Sequence, residues 1–92
     1  MRQLGMLQCM KNTTQPATAR QVFAYNVRLA RRLKDLSQEA LALQAGMSRT
    51  YVSEVERGER NISIDSMSLL AQALGVPLSK LVDPDGFEHI KL

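Results

Sequence analysis

Residues 37–61 read SQEALALQAGMSRTYVSEVERGERN, and the fold of the chain turns on how this stretch is parsed. Ser37 offers an N-cap oxygen to a short helix with Glu39 in its first turn, and Ala40 stands where a capping box would place Glu. Leu41, Ala42 and Ala45 give that helix an apolar face. Gly46 suits the left-handed residue that a tight helix exit needs. Ser48 caps a second short helix whose inward residues are Val52 and Val55, and Gly58 closes it. Arg49, Thr50, Tyr51, Ser53, Glu54 and Arg57 are left as a wide polar face on a helix of about three turns.

The surrounding chain is built from similar pieces. Phe23, Val27 and Ala30 fall at i, i+4 and i+7, one face of a helix that begins near Gln21 and stops near Asp35, with Arg28, Arg31, Arg32 and Lys34 on its remainder. After a loop at Glu59–Asn61, Ser63 and Asp65 open a fourth helix carrying Ile64, Met67, Leu70, Ala71 and Leu74, which Gly75 ends. Pro77 is expected in the first turn of a short fifth helix, PLSKLV, which Pro84 and Gly86 break. The expected fold class is all-α: five short helices over residues 21–83, with no strand. Residues 1–20, ending in NTTQPATA plus Arg20, read as a flexible N-terminal arm, and residues 84–92 as a C-terminal tail.

Composition agrees. At 92 residues there is room for one small core. The chain is 45% hydrophobic but only 4% aromatic, and a core of Leu, Ala, Val and Met favours packed helices over strands. Twelve basic against nine acidic residues leave a net charge of +3, compatible with nucleic acid without establishing it. The single cysteine, Cys9, excludes an intramolecular disulfide and a cysteine-based zinc cluster, and fits a reducing cytosol. The single histidine, His89, lies in the tail, and Lys11 shares the arm with Cys9. With no Ser/His/Asp set, carboxylate cleft or glycine phosphate loop, no enzyme activity, metal or cofactor is expected. No apolar run is long enough for a signal peptide or a membrane span, so a cytoplasmic protein is expected.

An ordinary solvated surface is the plain explanation for one polar helix face. Two equally short helices, a tight glycine turn, and Gln38 and Ser48 at the helix N-termini point elsewhere. That layout matches a helix-turn-helix, whose second helix enters the major groove while the N-terminus of the first meets the DNA backbone. Three motifs then carry a resemblance to a family: S-Q-x-x-L-A-x-x-A-G, S-x-x-x-V-S-x-x-E-R-G and L-A-x-A-L-G-V, all present without a gap between residues 23 and 83. The segment resembles the five-helix DNA-binding domain of phage repressors and Cro proteins, the XRE family, with the helix-turn-helix as helices 2 and 3. SRTYVSEVERGERN is also similar to the controller proteins of restriction–modification systems.

The resemblance implies roles. Gln38 corresponds to a phosphate-contacting glutamine. Ser48, Arg49, Thr50 and Glu54 correspond to positions facing base edges, and Tyr51, Ser53, Arg57 and Arg60 to positions meeting backbone or flanking bases. Glu56 corresponds to a partly buried glutamate paired with an arginine of the first helix, here Arg31. Chemistry supports several of these. Arg bonds guanine O6 and N7 bidentately, and Thr offers a hydroxyl and a methyl to thymine. Glu54 departs from the pattern: phosphate repels it, so it either accepts from a cytosine amino group or orients Arg49 or Arg57.

Leu43 and Leu69 also stand where the family pattern has polar surface residues. Leu69 with Leu78, Leu81 and Val82 could form a dimer interface. The alternative is that Leu81 and Val82 complete the monomer core. A dimer implies an inverted-repeat double-stranded DNA operator, and no small-molecule effector is expected. The competing functional reading is an antitoxin or other protein-binding module using the same domain.

Overall fold

Thr18 marks where regular structure begins. The computed structural model describes residues 17–87, so the expectations for Cys9, Lys11 and His89 lie outside the described residues. Five helices follow in order: α1 (Ala19–Leu33), α2 (Gln38–Ala45), α3 (Arg49–Glu56), α4 (Ile64–Leu74) and α5 (Leu78–Leu81). Among the described residues there is no strand, as the all-α reading requires.

Hydroxyl side chains start four of the five helices. Thr18, Ser37, Ser48 and Ser63 accept the backbone N–H of Gln21, Ala40, Tyr51 and Ser66 respectively, each worth about 1 kcal/mol. Thr18 completes a capping box, since the Gln21 side chain accepts the Thr18 amide at 2.9 Å. Thr18–Arg20 therefore belong to the helical domain, although the sequence pattern put them in the arm. Pro77 stands immediately before α5 with φ −70°, one residue earlier than expected.

The core takes Phe23, Val27 and Ala30 from α1, Leu41, Ala42 and Ala45 from α2, Val52 and Val55 from α3, and Leu70, Ala71 and Leu74 from α4. Ile64 does not join them. It is the first residue of α4, a full turn or more before Leu70, Ala71 and Leu74, and is 65% exposed. Leu81 is fully buried. It finishes the monomer core and is unavailable to a dimer interface, which corrects that part of the sequence reading.

The C-terminal boundary also moves. Phe87, read as tail, is buried against the core. Asn26 of α1 explains how the chain returns there. It is 2% exposed, and its Nδ2 donates to the carbonyls of Leu81 at 3.0 Å and Asp83 at 2.9 Å, with that of Lys80 at 3.4 Å. The last carbonyls of a helix have no partner within it, so one α1 side chain caps α5 and the turn beyond it. A Cβ at Gly86 would collide with the Lys80 carbonyl oxygen, so only glycine permits this close return. The Lys80 ammonium then lies 4.8 Å from the Phe87 ring centroid.

Asn26→Ala leaves the buried Leu81 carbonyl without its donor, while the Asp83 and Lys80 carbonyls keep only the backbone amides of Gly86 and Asp83. The expected loss is about 2 kcal/mol, a fall in midpoint of roughly 8–16 °C for a domain of this size. Hydrogen exchange should quicken first at Val82, Asp83 and Gly86. An unchanged melt would mean that the α1–α5 latch is not a source of stability.

Candidate nucleic-acid interface

The turn between α2 and α3 sets the presentation of α3. Gly46 has φ 74°, and the Met47 amide reaches back to the Ala42 carbonyl at 2.9 Å, so α2 stops and α3 starts within three residues. Val52 and Val55 then pack α3 into the core. At about 100° per residue, Arg49, Ser53 and Arg57 share a narrow outward arc, and Thr50 and Glu54 widen it to roughly 140°. The structure thus brings together the residues singled out for DNA. Ser48, Arg49, Thr50, Arg57 and Arg60 are exposed, while Tyr51, Ser53 and Glu54 are half-buried.

Their charges are arranged differently from expectation. Among the described residues Arg49 has no carboxylate partner. Arg57 donates to Ser53 Oγ at 2.5 Å and pairs with Glu59 at 3.1 Å. The Glu59 bond and charge raise the Arg57 pKa above its ordinary value, with Glu54 adding a smaller push, so Arg57 is a fixed cation. Glu54 orients neither Arg49 nor Arg57. It accepts from Arg60 Nε at 2.9 Å, and the Arg60 guanidinium lies 4.7 Å from the Tyr51 ring centroid. Sequence spacing could not reveal this contact because Arg60 lies beyond the helix, where helical periodicity no longer applies.

Under the polar face sits the pair that the family resemblance implied. Arg31 and Glu56 meet bidentately, Nε to Oε2 at 2.7 Å and Nη2 to Oε1 at 3.0 Å. Arg31 Nη1 donates to the Leu36 carbonyl at 2.8 Å. Gln38 Nε2 donates to Glu56 Oε1 at 3.0 Å. Gln38 is therefore tied into the ion pair, which the phosphate-contact role did not anticipate. Its second amide hydrogen and its carbonyl oxygen remain outside that bond. A further groove, missed from sequence, runs between α1 and the end of α3, lined by Tyr25, Arg28, Arg57 and Glu59 among others. Arg28 lies over the Tyr25 ring there, and its Nε is buried without a hydrogen-bond partner.

Of the four residues assigned to a dimer face, Leu69 and Val82 are exposed and Leu78 is half-buried, whereas Leu81 is interior. Leu43 is 81% exposed on α2. Among the described residues no helix is long and apolar enough to cross a membrane, and no group of three or more side chains could hold a metal ion.

A family model described as helix-turn-helix matches residues 27–81. The control protein C.SmaI of Serratia marcescens is 40% identical over 70 residues, covering 76% of this chain and 83% of that protein. The crystal structure of the hypothetical transcription factor NHTF from Neisseria is 47% identical with a TM-score of 0.71, covering 77% of this chain and 88% of that one. The restriction–modification controller protein C.Esp1396I, solved as a tetramer with its natural 35-base-pair operator, is 28% identical with a TM-score of 0.65, covering 73% and 97%.

Removing one partner of a buried ion pair strands the other. Glu56→Ala should cost about 3 kcal/mol in chemical denaturation, and Arg31→Ala a similar amount. The double variant should cost clearly less than their sum, because the two losses share one interaction. Additive losses would mean that the pair carries no coupling.

Proposed function

The chain belongs to the helix-turn-helix family and is a DNA-binding transcription regulator; we propose that it is a controller-type autoregulator that binds an inverted-repeat operator as a homodimer. The observation that carries this reading is Arg49, exposed, without a carboxylate partner among the described residues, in the first turn of a helix braced from beneath. That combination suits a base-reading side chain, because every edge of the guanidinium is open to a base and its charge is not offset by a neighbouring carboxylate. In this reading Arg49 bonds guanine O6 and N7, Thr50 and Ser48 meet the adjacent base edges, and Gln38 places its free amide hydrogen on a phosphate. Ser53, Tyr51, Arg57 and Arg60 contact backbone or flanking positions.

Leu69, Leu78 and Val82 supply the dimer contact. Two copies then present two α3 helices about 34 Å apart, one helical turn of DNA. Occupancy in this scheme depends on protein concentration through dimerisation, with no small-molecule effector and no catalytic step, and the protein works in the cytoplasm. The operator recorded for C.Esp1396I supports the partner class without fixing the bases recognised here.

Selection from random duplexes should yield a two-fold-related sequence, and single-base variants of it separate the roles. Arg49→Ala should lose about 1–3 kcal/mol on the selected operator and discriminate less at one position per half-site. Gln38→Ala should weaken all duplexes by a similar factor and leave the preference profile intact. If Arg49→Ala lowers specific and non-specific affinity equally, Arg49 is a backbone contact and the reading face is misassigned.

A further inference from the structure

Glu54 poses a physical puzzle. A carboxylate on the outward arc of a DNA-reading helix faces phosphate repulsion, yet here it is half-buried and engaged. Its Oε1 accepts the Nε–H of Arg60 at 2.9 Å. The flat face of the same guanidinium lies against Tyr51, 4.7 Å from the ring centroid. Arg60 is thus held on two sides, by a hydrogen bond at Nε and by an aromatic platform one turn before Glu54. Among the described residues no acceptor takes its Nη1 or Nη2 hydrogens. The Arg60 side chain remains 49% exposed.

We propose that Glu54 is a positioning residue, which with Tyr51 holds Arg60 so that its two terminal nitrogens grip one operator phosphate. The chemistry follows from the guanidinium fork. Its five N–H donors divide between two edges, and the terminal pair matches a phosphate's two oxygens. Committing Nε to Glu54 leaves that terminal pair available, so the contact to Glu54 and the contact to phosphate coexist. Stacking on Tyr51 blocks one face and removes rotations that a free arginine would lose on binding. Glu54 stays beside its counter-ion throughout and presents little net charge to the DNA. It reads no cytosine. The inference rests on the DNA-binding reading above.

The sign of one substitution separates this from simple repulsion. Glu54→Ala removes a negative charge, so electrostatics alone would tighten binding. Positioning requires the reverse: a loss of roughly three- to tenfold on the selected operator. The dependence of log affinity on log salt should flatten by about one unit, as for Arg60→Ala. Glu54→Gln keeps an oxygen acceptor for Nε and should recover most of the loss. In an Arg60→Ala background, Glu54→Ala should no longer weaken binding. The selected operator and the wild-type protein serve as the control: if the wild-type binds no duplex selectively, the functional reading fails before this one is tested. With selective wild-type binding, tighter binding by Glu54→Ala at every salt concentration would overturn the positioning role. So would an altered preference at one base pair with an unchanged salt slope, which would make Glu54 a base reader.

Discussion

Everything on the polar surface depends on the buried ion pair between Arg31 and Glu56. Glu56 is the last residue of α3 and only 5% exposed, a position where both burial and the helix dipole oppose a negative charge. Arg31 answers both. Two of its nitrogens take the carboxylate, the third reaches the Leu36 carbonyl in the α1–α2 connection, and Gln38 adds a donor from the start of α2. One carboxylate therefore fixes the end of α3 to α1, to the connection and to α2. Val52 and Val55 provide apolar attraction without direction. The pair supplies the direction, and with it the angle at which Arg49 and Thr50 leave the surface.

A second lock works from the middle of α1. Asn26 holds the carbonyls that end α5, and Phe87 closes over the same region. Neither lock uses the outward residues of α3. The division is physically sensible: stability comes from groups out of contact with solvent, and the exposed arc is left free of structural duty apart from Arg57, which Ser53 and Glu59 restrain, and Arg60, which Glu54 restrains. Contacts within that arc order the cations without committing Arg49.

Much of this was legible in the amino-acid pattern. The caps at Ser37, Ser48 and Ser63, the left-handed glycines, and the inward Val27, Leu41, Val52 and Leu74 all follow from local rules of spacing and turn chemistry. What was not legible depended on contacts distant in sequence. Phe87 looked like tail because Pro84 and Gly86 end the helical period, while its burial depends on Asn26, some sixty residues earlier. Leu81 looked available for a partner because apolar residues near a chain end serve either purpose until packing decides. Glu54 and Arg60 are six residues apart, outside the three- and four-residue spacings that link helical side chains. Gln38 was legible as a residue at a helix start but not as a ligand of Glu56.

The central claim is that α3, braced by Arg31 and Glu56, is the surface that meets DNA bases. Amide chemical shifts of the labelled protein, followed during titration with a selected duplex and with a scrambled one, test it directly. The account predicts that the two duplexes shift Gln38, Arg57 and Arg60 alike, whereas Ser48–Thr50 respond strongly to the selected duplex alone, and that Asn26 and Leu81 stay still. Equal responses at Ser48–Thr50 to both duplexes, or the largest shifts on α4 and α5, would contradict it.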